Sequence, residues 1–158
     1  MSDVLQALYR GERDEAIGLA RGRELDVFEA AALGDVGRLE LLLDEDPSRA
    51  SAVGADGFHP LGLACFFGHV DAARLLLANG ADVNALSQNE NIQTAAIHAA
   101  AAAQGTDEDT RYALIALVLE YGADPDLEQG GGFRAIDAAR QNGDARIEQL
   151  LLENGAEA

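Results

Sequence analysis

The feature that most constrains the fold of this chain is a segment that occurs three times. RLLLANGADVNA at residues 74–85 recurs as ALVLEYGADPDL at 116–127 and as QLLLENGAEA at 149–158. Gly80, Gly122 and Gly155 keep the same register, at intervals of 42 and 33 residues. Repetition at such a period predicts an array of similar units.

A second segment repeats upstream of the first. HPLGLACFFGHVD at 59–71 aligns with RAIDAARQNGDAR at 134–146, with LDVFEAAALGDVG at 25–37 and with the degenerate AAIHAAAAAQG at 95–105. Each unit therefore predicts helix, glycine turn, helix, glycine and an extended stretch. Leucines at i, i+3 and i+4 give the second helix a wide apolar face. A unit this small cannot bury its own leucines, so the units must stack on each other.

The motifs within these repeats resemble the ankyrin-repeat family. The G-A-D part of the family pattern is well kept, at Gly80-Ala81-Asp82, Gly122-Ala123-Asp124 and Gly155-Ala156-Glu157. The T-P-L-H part is matched only in part, by His59-Pro60-Leu61-Gly62, Ala95-Ala96-Ile97-His98 and Arg134-Ala135-Ile136-Asp137. The resemblance implies an all-α fold, an ankyrin-repeat solenoid of stacked helix-turn-helix units with hairpin-like fingers.

We predict a single domain that begins with a helical capping pair over residues 1–23. Four repeats follow, over 24–54, 55–87, 88–129 and 130–158. In the capping pair, the side chains that should cover the end of the stack are Leu5, Leu8, Ile17 and Leu19.

The third repeat is longer than the others. Its finger has three extra residues, and about six more separate its two helices, around QGTDEDTRY. Thr106 and Asp109 have the spacing of a capping box that would start the second helix early.

The charge of the chain restricts its partners. The formal net charge is −17, and all eleven cationic residues are arginine. This negative charge repels nucleic acid and anionic membranes and favours a basic protein partner. The alternative explanation is that the charge serves only solubility. The lack of lysine suggests a bacterial, GC-rich source. A single cysteine, no signal-peptide pattern and no apolar run near 20 residues predict a cytoplasmic protein.

No pattern in the sequence predicts catalysis or a cofactor. Cys65 and His69 have the spacing of a metal-ligand pair, but Gly68 interrupts the helix between them and a site would need further ligands. His59 and His98 occupy repeat-motif positions. Gly130-Gly131-Gly132 precedes no lysine, so it predicts a finger tip and not a phosphate loop. We expect no enzyme, no metal and no cofactor.

The resemblance implies a partner-binding surface along the concave groove and the fingers. Phe66 and Phe67 precede the turn glycine of the second repeat, and successive positions on a helix point about 100° apart, so the two rings cannot share one environment. We expect one ring to pack between repeats and the other to contact a partner. The remaining candidate positions are Ala102, Ala103, Gln141, Asn142, Phe58, Asn89, Asn91 and Phe133.

Three functional hypotheses follow. The favoured one is a non-enzymatic adaptor that binds an unidentified protein partner through an extended concave surface without a preformed pocket. The alternatives are an inhibitor or immunity-type protein that masks a basic surface, and a metal-dependent enzyme or regulator that uses Cys65, His69, His59 and His98. We expect a monomer, with a weak dimer through the last helix as the alternative.

Overall fold

The computed structural model describes residues 1–158 and contains ten α-helices, one short 3₁₀-helix at Pro47–Ser51 and no β-strand. The α-helices are α1 (Asp3–Tyr9), α2 (Arg13–Ala20), α3 (Val27–Leu33), α4 (Val36–Glu45), α5 (Pro60–Phe66), α6 (Val70–Ala78), α7 (Ala96–Ala101), α8 (Glu108–Glu120), α9 (Ala135–Asn142) and α10 (Ala145–Glu153).

The helices form two rows. The short inner helices α3, α5, α7 and α9 pack on each other in chain order, and the outer helices α4, α6, α8 and α10 form a parallel row. Helix α1 packs on α2 and on α3 at the start of the inner row. The all-helical solenoid predicted from the repeats is therefore confirmed.

Alanine allows the inner helices to approach closely. Of the nine residues from 95 to 103, all but Ala102 are buried, as expected for packing positions. The outer helices contribute the larger core side chains, among them Leu39, Leu76 and Leu114, which are fully buried. Small residues in one row and leucines in the other explain why adjacent repeats enclose one continuous apolar core.

In most of the inner helices, the side chain of the third residue caps the first turn of the helix. Glu29, His98 and Asp137 each accept a hydrogen bond from the backbone N–H three residues earlier, at 3.1, 3.0 and 2.9 Å. These bonds satisfy a donor that the helix itself leaves free. Gly62 occupies the same position in α5 and has no side chain with which to make this bond.

Three fingers project from the inner row. Backbone hydrogen bonds close them between Gly54 and Phe58, between Ser87 and Thr94, and between Gln129 and Phe133. The middle finger is three residues longer than the other two, as its sequence predicted.

Side chains between the helices and the fingers join successive repeats. Asn84 donates to the Gly122 carbonyl at 3.1 Å and accepts from the Asp124 N–H at 2.8 Å. Asp126 accepts from the Glu157 N–H at 3.0 Å in the next repeat along. These bonds fix the spacing between consecutive repeats where the chain is extended.

Two local predictions were wrong. Helix α8 is capped by Asp107, whose carboxylate accepts from the Thr110 N–H at 2.8 Å, while the Thr106 hydroxyl turns back to the Ala103 carbonyl. In the capping pair Leu5 and Leu8 are buried, but Ile17 is 37% exposed. Ile17 is exposed because α2 does not pack closely against the outer helix α4.

Candidate functional site

The main candidate site is an apolar groove of about 580 Å³ on the finger side of the inner helices. Helices α5 and α7 form its floor, the first two fingers form its rim, and α1 closes one end with Tyr9. The volume is in the range of binding pockets in proteins. The expectation of a concave surface without a preformed pocket was therefore wrong.

Gly62 leaves part of this space open. It lines the groove, and a Cβ atom added to it would meet no heavy atom within 4 Å. At the same helical position the other repeats carry Glu29, His98 and Asp137. The missing side chain in the second repeat therefore leaves room for one from outside.

The two adjacent phenylalanines occupy different environments. Phe66 lines the groove and also packs against the main core, whereas Phe67 packs against the capping pair and does not line the groove. The rings meet edge to face with centroids 5.0 Å apart, and the Phe67 ring lies 5.8 Å from that of Tyr9. Such aromatic contacts hold the Phe66 ring in place at the floor of the groove.

Tyr9 connects the capping pair to the first finger, and the repeat pattern gave no indication of this role. Its hydroxyl donates to the Asp56 carboxylate at 2.7 Å, and its ring lies 6.3 Å from that of Phe58. Burial and the neighbouring carboxylate raise the pKa of Tyr9, so the hydroxyl stays protonated as a donor. Tyr9 lies outside the repeats, so no repeat register could mark it.

Charged side chains in the groove are all acidic. Asp56 and Asp82 carry the only charged side chains that line it, and no arginine does. The groove thus combines an apolar floor with an acidic rim, which suits a ligand that carries an apolar group beside a cation.

Comparison with known proteins agrees with this architecture. A family model described as "Ankyrin repeats (3 copies)" matches residues 27–129. The chain belongs to the ankyrin-repeat family. Ankyrin repeats generally serve as protein-interaction modules.

Several curated proteins resemble this ankyrin-repeat chain. Ankyrin repeat and SAM domain-containing protein 6 of mouse and of rat are each 28% identical over 130 residues, which cover 82% of the chain and 14% of the relative. Human ankyrin repeat domain-containing protein 35 is 38% identical over 65 residues, 41% of the chain and 6% of the relative. The chain therefore spans only a small part of the length of these relatives.

The ankyrin groove contains four of the predicted partner-binding residues, namely Phe58, Phe66, Asn89 and Ala102. The other six lie outside it. Asn91 and Gln141 are exposed, and Phe133 is half-buried beside the third finger. The Asn142 side chain donates to the Ala101 carbonyl at 3.1 Å. Ala103 is buried, and Phe67 packs on the capping pair. Of the residues not predicted, the structure adds Tyr9, Gly62, Ile92 and Ala99 to the groove.

The cysteine and the histidines each have separate structural contacts. Cys65 is fully buried, and burial raises the pKa of its thiol to about 12. His69 contacts the Ala32 carbonyl through Nε2 at 2.9 Å, and Gly68, with φ of +83°, turns the chain between the two. No three His, Cys, Asp or Glu side chains lie together in an arrangement that could hold a metal ion.

None of the helices has both the length and the apolar character needed to cross a bilayer.

Proposed function

We propose that this chain is a non-enzymatic adaptor that binds a protein partner through the groove between its inner helices and its fingers. The observation that carries the proposal is the apolar groove floored by Phe66 and left open by Gly62. A large apolar side chain inserted into a groove of this kind is the usual centre of a protein interface. The family's general role in protein interaction supports the same reading.

The partner segment that fits best is an extended basic one with an apolar anchor. Asp56 and Asp82 at the rim would face its cations, and the net charge of −17 would accelerate the encounter at low salt. The same charge would suit an inhibitor or immunity-type protein that covers a basic surface. That alternative differs from the adaptor in what happens to the partner, and the groove serves both.

We further propose that the protein acts in the cytoplasm as a monomer. Leu151 is buried within the last repeat, while Leu152 is 40% exposed. A single exposed leucine is too small a patch for a stable dimer interface, so self-association through α10 should be weak at most. A bacterial source remains a prediction from composition, and the relatives named above are mammalian.

Filling the groove tests the proposal. Peptides would be selected from a random library on the wild-type protein, and their affinities would then be measured for Gly62→Leu and Gly62→Ala. We expect Gly62→Leu to abolish binding of most selected peptides because its side chain occupies the groove. Gly62→Ala should keep binding and should raise stability by roughly 0.5–1 kcal/mol, the usual gain from replacing glycine within a helix. Equal affinity for the wild type and Gly62→Leu would place binding elsewhere.

The two phenylalanines provide a second arm of the test. Phe66→Ala should weaken peptide binding because it removes the floor of the groove. Phe67→Ala should leave the groove in place and destabilise the fold by about 2 kcal/mol, since its ring packs on the capping pair. If both substitutions lowered stability and neither changed binding, the proposed site would be wrong.

A further inference from the structure

Some arginines of this chain pair with a carboxylate and others do not. Seven of the eleven have a carboxylate oxygen within 4 Å. The other four are Arg13, Arg21, Arg38 and Arg74. With 28 carboxylates for 11 arginines, an arginine without an acidic partner is the exception on this surface.

Three of these four arginines lie around one hollow. Arg13, Arg21 and Arg38 line a space of about 330 Å³ between α2 and the α3–α4 pair. Arg23 lines it too, but is already paired with Asp3 and Glu29. The hollow therefore concentrates unneutralised positive charge on a protein that is otherwise strongly negative.

The guanidinium groups around the hollow are available to a ligand. The side chains of Arg13 and Arg21 make no hydrogen bond within the protein. Arg38 donates only from Nε, to the Leu25 carbonyl at 2.8 Å, which leaves both terminal nitrogens free. One carboxylate, that of Asp35, also lines the hollow, and it accepts from the Arg38 N–H. A single aspartate cannot neutralise the three arginines that have no other acidic partner.

The hollow also has an apolar part, because the outer row is incomplete at this point. Helices α4, α6, α8 and α10 pack in succession, but α2 is not packed closely on α4. The gap uncovers part of Leu33 and leaves Ile17 37% exposed at its edge. A ligand that fills the gap would thus meet aliphatic surface as well as guanidinium groups.

We propose that this hollow, formed by Arg13, Ile17, Arg21, Leu33 and Arg38, binds an acidic peptide segment in which carboxylates flank an aliphatic side chain. Guanidinium groups bind carboxylates strongly and with defined geometry. Arg13 and Arg21 lie at the two ends of α2 and Arg38 lies on α4, around a space larger than one small anion, and an extended chain can reach all three. The site is independent of the groove and takes ligands of the opposite charge.

The negative charge of the whole protein does not prevent such binding. At physiological ionic strength the Debye length is about 8 Å, so exposed carboxylates farther away are largely screened. The arginines at the hollow then determine the local interaction. The site should select acidic segments at contact distance, although the overall field slows their approach.

The test uses fluorescence anisotropy with a fluorescein-labelled Glu-Glu-Leu-Glu-Glu peptide and the full chain. We expect saturable binding that the uncharged Gln-Gln-Leu-Gln-Gln peptide does not show. The double variant Arg13→Gln/Arg21→Gln should bind at least about tenfold more weakly, since it removes two charged hydrogen-bond donors to the peptide carboxylates. The matched control is Arg74→Gln, which removes an unpaired arginine on α6, outside the hollow, and should bind like the wild type.

Two further variants and a check of folding complete the test. Ile17→Gln should also weaken binding without removing a charge, and Gly62→Leu should leave it unchanged. Thermal unfolding of each variant establishes that it is folded, and Ile17→Gln replaces the double variant if that one unfolds. The proposal is overturned if the wild type does not bind the peptide, if Arg74→Gln weakens binding as much as the double variant, or if inorganic phosphate binds and the peptide does not.

Discussion

At the scale of single residues, Gly57 sets how closely the first two fingers approach. Its φ is +84°, and its carbonyl accepts from the Gln88 N–H at 2.7 Å. A Cβ atom at this position would lie 2.5 Å from the Asn89 nitrogen, closer than such atoms can approach without displacement of the backbone. Glycine is therefore required here by the neighbouring finger as well as by the turn.

Replacing this glycine should separate the fingers. Gly57→Ala is expected to lower the free energy of unfolding by the roughly 1–2 kcal/mol of a left-handed non-glycine residue, and by a further amount for the contact with the second finger. Gly132→Ala is the matched control, because Gly132 has φ of +80° in the third finger and an added Cβ would meet only Glu128, at 3.8 Å. Urea denaturation measures both. Equal losses would mean that the contact between the fingers contributes nothing.

His98 links the start of α7 to the chain that follows α8. Its Nδ1 accepts from the Ala95 N–H at 3.0 Å, so the ring proton is on Nε2, which donates to the Leu127 carbonyl at 2.6 Å. A second proton on Nδ1 would break the first of these bonds. Burial lowers the pKa of His98, and the Leu127 hydrogen bond opposes this only in part.

Stability should therefore fall on mild acidification. The unfolded chain binds a proton on His98 near its ordinary pKa of 6.5, while the folded chain resists protonation to lower pH. The stabilisation is thus fully present above pH 6.5 and decreases as the pH falls below it. Denaturation between pH 7.5 and 5 should show a shallower pH dependence for His98→Asn, although His69, whose pKa burial also lowers, keeps some slope. Identical slopes would contradict the assignment.

At the scale of helices, α8 and α10 are joined by two ion pairs of very different burial. Arg111 makes two bonds to Asp144, from Nε at 2.8 Å and from Nη2 at 2.9 Å, with side-chain exposures of 16% and 5%. Arg146 and Asp109 connect the same helices at 2.7 Å, but are 57% and 81% exposed. Only the first pair is shielded enough from solvent for its loss to lower the free energy of unfolding appreciably.

Breaking the buried pair should be costly. Arg111→Leu is expected to lower the free energy of unfolding by about 3 kcal/mol, because Asp144 is left as a buried charge without a partner. Adding Asp144→Asn should recover part of the loss by removing that charge. Arg146→Leu, the same change at the exposed pair, should have much less effect in urea denaturation. A similar loss in both single variants would show that burial does not distinguish the pairs.

The helices were predictable from sequence because they depend on short-range patterns. Leucine spacing and the recurring glycines indicated the helix pairs, their stacking and the longer middle finger. The capping residue of α8 was predicted one position too early, at Thr106. Thr106 and Asp107 are both good capping residues, and only the fold shows that the Thr106 hydroxyl bonds to Ala103 while the Asp107 carboxylate caps the helix.

The groove could be predicted only in part. Phe66 and the fingers were expected from the repeat register, but the groove is also lined by Gly62, which has no side chain, and by Tyr9, which is distant in sequence. A repeat comparison shows which residue occupies a position, and does not show that the space beside it stays empty. The exposure of Ile17 was not predicted for a similar reason, since an amphipathic pattern does not show how α2 is placed relative to α4.

At the scale of the whole molecule, the net charge of −17 opposes compaction. Ten ion pairs within 4 Å are distributed along the stack, but most of the 28 carboxylates have no arginine beside them. Repulsion among like charges destabilises a folded chain and is screened by salt.

Added salt should therefore stabilise this protein. Raising NaCl from 10 mM to 500 mM should increase the free energy of unfolding, by an amount on the order of 1 kcal/mol, because screening weakens repulsion more than it weakens the few pairs. KCl should give the same curve if screening is the cause. A decrease in stability with either salt would mean that the ion pairs outweigh the repulsion.

The hydrogen bonds between fingers have a consequence for how the groove meets its ligand. The Gln88 N–H and the Asn89 side chain of the second finger donate to the Gly57 and Asp56 carbonyls of the first, and the Gly130 N–H of the third finger donates to the Gln93 carbonyl of the second. All three fingers, including the two that form the rim, are thereby joined to one another before any ligand arrives. A preorganised rim loses little conformational entropy on association. Docking here should resemble the meeting of a rigid receptor with a flexible peptide, in which nearly all the ordering cost falls on the peptide.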